Sequence, residues 1–390
     1  MTGTPAGRLS RRLGLADAVT VGLGAMIGAG VFAAFGPAAR AAGSGLLLGL
    51  AVAAIIAYCN ATSSARLAAL YPESGGSYVY GRRRLGTPWG VLAGWAFIIG
   101  KLASCAAMGL TVGAYLVPAH ERIVGVLAVL AVTAVNYCGV RRSLWVTRLV
   151  LVVVVLVLVV VVVAALVGGT ASPDRLSPFP GTGVHGVLES AGLLFFAFAG
   201  YARIATLGEE VREPERTIPR AIPIALAITL AVYAIVGIAA LLAVGPAPLA
   251  GSTAPLRTAV DAGSLHALAP VVRAGGAIAA LGSLLSLVLG ISRTVLAMAR
   301  DGQLPRPLAA VHPRFHVPHR AEVAAGLLVC CLIALTDLRA AIGISSFSVL
   351  LYYGVANASA ATLGTAEGRP PRWVPTLGLL GCVVLAISVL

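Results

Sequence analysis

The segment 149–166, LVLVVVVLVLVVVVVAAL, contains only valine, leucine and alanine. A run of that length approaches the ~20 residues that carry a helix across ~30 Å of hydrocarbon, and it has no polar face to turn toward water. Similar uncharged stretches recur along the chain. Only 11% of the 390 residues are charged, against about a quarter in a soluble domain, and 59% are hydrophobic. The chain is therefore expected to be an all-α polytopic membrane protein. A β-barrel would instead show ~10-residue segments of alternating polarity. Eleven spans are expected, at about 16–40, 43–68, 88–117, 123–140, 144–168, 186–208, 220–244, 274–300, 320–337, 341–363 and 374–390.

The net charge of +14 follows from topology and does not imply a nucleic-acid partner. With a cytoplasmic N-terminus, Arg40, Arg122, Arg175, Arg257, Arg273 and Arg339 fall outside, and all the other span-flanking arginines fall inside, as the positive-inside rule requires. The cytoplasmic segments 70–86 and 300–320 are amphipathic and rich in turn residues, so they are expected at the membrane interface. Outside, the stretch LRTAVDAGSLHAL within 245–272 is expected to form a helix over the external mouth.

Two places should interrupt a helix inside the membrane. Gly22, Gly24, Gly28 and Gly30 crowd the middle of the first span, each weakening a helix by ~1 kcal/mol relative to alanine. Gly24 and Gly28 also form a GxxxG packing face, so close packing and a break compete on this segment alone. In the sixth span Gly200 and Arg203 interrupt an apolar run. Breaks five spans apart are what an inverted five-helix repeat produces, with both facing the bilayer midplane. Amide N–H groups exposed at one half-helix bind a carboxylate, and free carbonyls at the other bind an ammonium, so a zwitterion satisfies both.

At this point the sequence resembles the amino acid, polyamine and organocation superfamily of secondary transporters. The resemblance rests on GAMIGAGVF (24–32), EEVREPERTIPRAI (209–222), SRTVLAMARDGQLP (292–305), YPESGGSYVY (71–80) and NYCGVRR (136–142), in order between the right spans. It implies a five-plus-five inverted-repeat transporter fold with helices 1 and 6 broken, in a single domain spanning 1–390. Repeat one would cover about 16–168, repeat two about 186–363, and an extra helix 374–390. It also implies carboxylate binding by the backbone of Gly28, Ala29 and Gly30, beside Ile27. Ammonium binding would fall to carbonyls around Phe196, Ala199 and Gly200, with Phe196 as an aromatic gate. Members generally have twelve spans, so a C-terminal shortening is implied. Ala29 stands where a serine is common, Ala202 where many members carry glutamate, and the apolar run near Val154 where some proton-coupled members carry lysine.

Lys101, the only lysine, lies near the middle of span three. There it costs ~2.5–3.5 kcal/mol on insertion scales, and being about two turns or more from either end it is out of reach of snorkelling. Burial disfavours the ammonium charge, so Lys101 is a candidate proton carrier or a substitute for a bound sodium ion, the alternative being a structural lysine hydrogen-bonded to broken-helix carbonyls. Arg203 could help hold a carboxylate or pair with Glu209 on the inner pathway, the gate ion pair being the expectation, and Ser283 and Ser286 on span eight are candidate cation ligands, the alternative being helix packing. His312, His316 and His319 have metal-like spacing but lack a cysteine or carboxylate nearby, so no metal is expected. No carboxylate occupies the middle third of a span, which disfavours cationic substrates.

The expectation is a secondary active transporter of amino acids, neutral by preference, in the cell membrane, working by alternating access with proton symport or exchange. The partners expected are a small zwitterionic amino acid, the lipid bilayer and a proton, with sodium second; no cofactor is implied. A membrane enzyme would need a paired acid and base or a metal cluster at depth, which the spans do not supply. The competing expectation is a transport-inactive amino acid sensor or scaffold on the same fold.

Overall fold

The computed structural model describes residues 13–71, 75–139, 144–205, 211–315 and 317–390, and among them the regular structure is helical apart from one isolated bridge between Leu13 and Val211. Apolar segments emerge as helices because lipid offers the backbone no hydrogen-bond partner. The first half comprises α1 (Leu15–Met26), α2 (Ala29–Ala33), α3 (Phe35–Ala42), α4 (Leu46–Leu70), α5 (Ser77–Arg84), α6 (Thr87–Leu116), α7 (Glu121–Tyr137) and α8 (Leu144–Val167). The second comprises α9 (Val184–Phe198), α10 (Ala202–Ala205), α11 (Pro214–Val244), α12 (Pro246–Ala250), α13 (Pro255–Asp261), α14 (Ala269–Arg300), α15 (His319–Leu335), α16 (Leu338–Ala361) and α17 (Trp373–Ser388). Among the described residues nine helical segments are long and apolar enough to cross a membrane. The ninth and eleventh expected spans coincide with α15 and α17, which are shorter, at 17 and 16 residues.

The 30-residue helix α6 is the central pillar, packed against α16 on one side and α14 on another, with α5, α7 and α15 around it. Small residues permit these contacts: a Cβ on Gly100 would stand 2.9 Å from Val349 Cγ2, and one on Gly109 would stand 2.7 Å from Ile333 Cδ1. By contrast, α8 lies at the periphery. Val154, Val157, Leu158 and Val161 face inward, while Val152, Leu156, Val159 and Val163 are exposed at the three- and four-residue spacing of one helix face.

At the end carrying most arginines, α5 lies as a short interfacial helix within the expected segment 70–86. Tyr78 Oη donates to Asp301 Oδ2 at 2.6 Å and Arg82 Nη1 donates to the same oxygen at 2.7 Å, tying α5 to the end of α14. Nearby, Arg84 Nη2 donates to Glu367 Oε2 at 2.5 Å, and the Gly364 amide donates to it at 2.8 Å. The Arg84 hydrogen bond, followed by the Gly364 amide, holds the Glu367 carboxyl below the usual carboxylate range. A depressed folded value stabilises above the unfolded pKa and stops doing so as pH falls through the folded one. Arg84→Gln is therefore expected to lower the melting midpoint slightly at about pH 7 and to leave it unchanged in acid, as thermal melts at both pH values would show.

At the opposite end the expected external helix is shorter than its sequence pattern. Helix α13 covers Pro255–Asp261, and the chain then turns so that the Ser264 amide donates to Gly168 O at 3.0 Å; only a 3-10 turn, His266–Leu268, follows. The tertiary hydrogen bond to Gly168 competes with helix propagation at Gly263. The short α13 still packs against α2 as well as α11 and α14.

Candidate functional site

Helix α1 stops at Met26 because the next two residues leave helical geometry: Ile27 lies at φ −78°, ψ 62° and Gly28 at φ −125°, ψ −135°. The Gly28 amide donates to Met26 O at 2.8 Å, and the Ala29 amide, opening α2, donates to Ser283 Oγ of α14 at 3.4 Å. Ala34 joins α2 to α3, through Ala34 N to Gly30 O at 2.9 Å and Ala38 N to Ala34 O at 3.0 Å. The second half of the broken helix thus continues into α3.

Helix α9 ends at Phe198 and passes through a 3-10 turn, Ala199–Tyr201, into the short α10. The Ala199 amide donates to the carbonyls of Phe195 and Phe196, leaving each oxygen one lone pair. The two breaks meet. A Cβ on Gly30 would stand 2.7 Å from Ala197 Cα, and one on Gly200 would stand 2.8 Å from the Met26 amide nitrogen. Only glycine allows backbone to approach backbone this closely.

Three buried tyrosines, which the sequence motifs do not mark, satisfy carbonyls at the two breaks and beside the α2–α3 junction. Tyr233 Oη of α11 lies 2.6 Å from Met26 O and 3.1 Å from Ala197 O, so its proton is shared between the two broken helices. Tyr115 Oη donates to Phe32 O at 2.9 Å and Tyr353 Oη donates to Ala199 O at 3.4 Å. A usable sequence signal exists: a tyrosine deep in an apolar span needs a hydrogen-bond acceptor. Tyr233→Phe is expected to cost about 1–3 kcal/mol, because two buried carbonyls lose a shared donor. Denaturant titration of the purified protein would measure that loss.

Of the residues expected at a site, Ile27, Gly28, Ala29 and Gly30 lie at the first break, and Phe196, Ala199 and Gly200 at the second. Ser283 joins them through Ala29; Ser286, one turn away, is exposed and donates to Gly282 O at 3.1 Å. Arg203 lies on α10 with an exposed side chain, while Glu209 falls outside the described residues. Lys101 is only 8% exposed, with Nζ 5.8 Å from the centroid of the Phe97 ring. It makes no hydrogen bond or ion pair among the described residues. Cys105, one turn further along α6, belongs to the same apolar cluster as Ala29, Ala33, Leu193, Phe196 and Leu284. His312 and His319 come together in an aromatic group with Tyr137 and Phe315, while His316 lies outside the described residues.

Two interrupted helices in contact inside a polytopic helical bundle define the architecture of a membrane transport protein. The chain belongs to the amino acid permease family, whose profile matches residues 13–390. It is 64% identical over 380 residues to a Mycobacterium tuberculosis protein named as an uncharacterized transporter, covering 97% of this chain and 86% of that one. It is 26% identical to a branched-chain amino acid permease of Bacillus subtilis, over 97% of this chain and 88% of that one. Human cationic amino acid transporter 4 is 30% identical over 93% of this chain and 61% of its own length. The chain is accordingly a multi-pass membrane transporter of this family.

Proposed function

We propose that the protein carries small neutral amino acids across the cell membrane by alternating access, with its N-terminus in the cytoplasm. The substrate carboxylate would meet the Gly30 amide and, by displacing Met26 O and Ser283 Oγ, the amides of Gly28 and Ala29, and its ammonium the remaining lone pairs around Phe196 and Ala199. Two inverted repeats, about 16–168 and 186–363, would move against each other around this point.

One observation carries the preference for a neutral, apolar side chain: the surroundings of the breaks offer hydrocarbon and no spare anion. Ala33, Leu193, Phe196 and Leu284 share one apolar cluster there. Among the described residues, the only acids on α1, α2, α6, α9 and α14 are Asp17 and Glu189 near helix ends, and these are paired with Arg148 and Arg339. A guanidinium or ammonium side chain would therefore lose its water with no counter-charge to replace it. The branched-chain permease relative agrees with this preference and the cationic transporter relative does not, so the uptake test below decides between them. Lys101 would carry the coupling proton, because an ammonium held away from water without an anionic partner can release its proton when substrate or conformation changes its surroundings.

Uptake of radiolabelled leucine and arginine into proteoliposomes tests the proposal. Leucine uptake, stimulated by an inward proton gradient and exceeding arginine uptake, is expected. Preferred arginine uptake would refute the neutral assignment. No flux of any amino acid under any gradient would favour the sensor.

A further inference from the structure

Between α7 and α15, away from the helix breaks, the outer surface carries a groove of about 330 Å³ lined by Leu130, Thr133, Tyr137, Val323, Gly326 and Leu327. Leu130, Val323 and Leu327 are exposed, so the groove opens toward the lipid side of the bundle. Gly326 lets α15 come close to α7: a Cβ there would stand 2.6 Å from Thr133 Oγ1.

Besides Glu322 Oε2 on α15, two polar atoms in this region lack partners. Thr133 is 8% exposed and lines the groove, and its hydroxyl makes no hydrogen bond. A helical threonine ordinarily bonds back to its own preceding turn, so an idle hydroxyl packed against Gly326 between α7 and α15 is costly unless something else accepts its proton. At the mouth, His319 Nδ1 is likewise buried without a partner, its ring 6.0 Å from that of Tyr137.

The mouth is basic. The Arg314 guanidinium lies 5.5 Å from the centroid of the Phe315 ring, which in turn packs 6.2 Å from Tyr137. Arg320 is exposed and stands at i−3 and i−7 from the groove residues Val323 and Leu327, on the same face of α15. No acidic residue lines the groove.

We propose that this groove binds one anionic phospholipid, its phosphate held at the mouth by Arg320, Arg314 and His319, and an acyl chain lying between α7 and α15. Thr133 stands four residues inward from Tyr137, ~6 Å along the helix, at the depth where an ester carbonyl follows a phosphate. Its hydroxyl, packed against Gly326 in the empty groove, would turn outward to donate to that carbonyl when the lipid is seated. Anionic headgroups and basic pockets between spanning helices meet through this combination of charge and hydrocarbon.

Native mass spectrometry of the full chain, delipidated in detergent and offered equal phosphatidylglycerol and phosphatidylcholine, provides the test. Preferential retention of one phosphatidylglycerol is expected. Arg320→Gln, an exposed change that leaves the fold intact, should lower retention about fivefold, the weight of one arginine near an anionic headgroup. Thr133→Val should also weaken it, and Gly326→Leu should abolish it by filling the groove. Arg122→Gln, at the opposite end of α7, should leave it unchanged. Equal retention of the two lipids, unchanged retention in Arg320→Gln, or an equal loss in Arg122→Gln would overturn the proposal.

Discussion

Gly30→Val is expected to reduce amino acid uptake about a hundredfold, corresponding to ~3 kcal/mol of overpacking at the point where the two broken helices touch. The reason is local. The first added carbon would lie 2.7 Å from both Cα and Cβ of Ala197, and backbone cannot swing aside as a side-chain tip does. Relief requires α2 to move away from α9, which would separate the amides at the first break from the carbonyls at the second. Gly24→Ala, in the same glycine-rich segment, is the internal control, since its Cβ would meet only the Thr147 methyl group, at 3.0 Å. Uptake normalised to the amount of folded protein in the vesicle distinguishes the two. Comparable activity in both variants would remove the helix crossing from the transport mechanism.

Lys101→Met should uncouple transport from the proton gradient while sparing exchange. A gradient of one pH unit is worth about 1.36 kcal/mol per proton, so a one-proton symporter accumulates substrate about tenfold at equilibrium. The methionine variant keeps much of the side chain's length beside Phe97 but has no titratable group. Its accumulation ratio is therefore expected to fall to about one under the same gradient, with leucine–leucine exchange continuing. Measuring accumulation and exchange in the same vesicles separates coupling from folding. Gradient-driven accumulation that persists in this variant would assign the proton elsewhere.

Glycines mark the first break in the sequence because their cost to a helix is a property of the residue itself. What those glycines accomplish is less visible. Gly24 and Gly30 look alike in GAMIGAGVF, yet a Cβ on one would meet a side-chain methyl group and on the other the backbone of Ala197. The tyrosines carry no such mark, because Tyr233, Tyr115 and Tyr353 acquire their roles from carbonyls distant in sequence. Ser283 and Ser286 show the same divide: equivalent as span-eight hydroxyls, they separate once α14 turns one toward Ala29 and leaves the other exposed.

Hydrophobic runs and arginine placement determined a polytopic helical membrane protein, and only the pairing of first-span glycines with the interruption at Gly200 pointed to broken helices, since transfer free energies and backbone preferences reside in individual residues. They could not orient 149–166, where valine and leucine make every face equally apolar. Packing against the core turned Val154 and Val161 inward and left Val152 and Val159 exposed. Tertiary structure likewise decided that Gly30 meets Ala197, that Tyr233 bridges two breaks, and that Asp17 and Glu189 are paired with arginines. Each is a contact between distant segments, and its energy exists only once the helices have assembled.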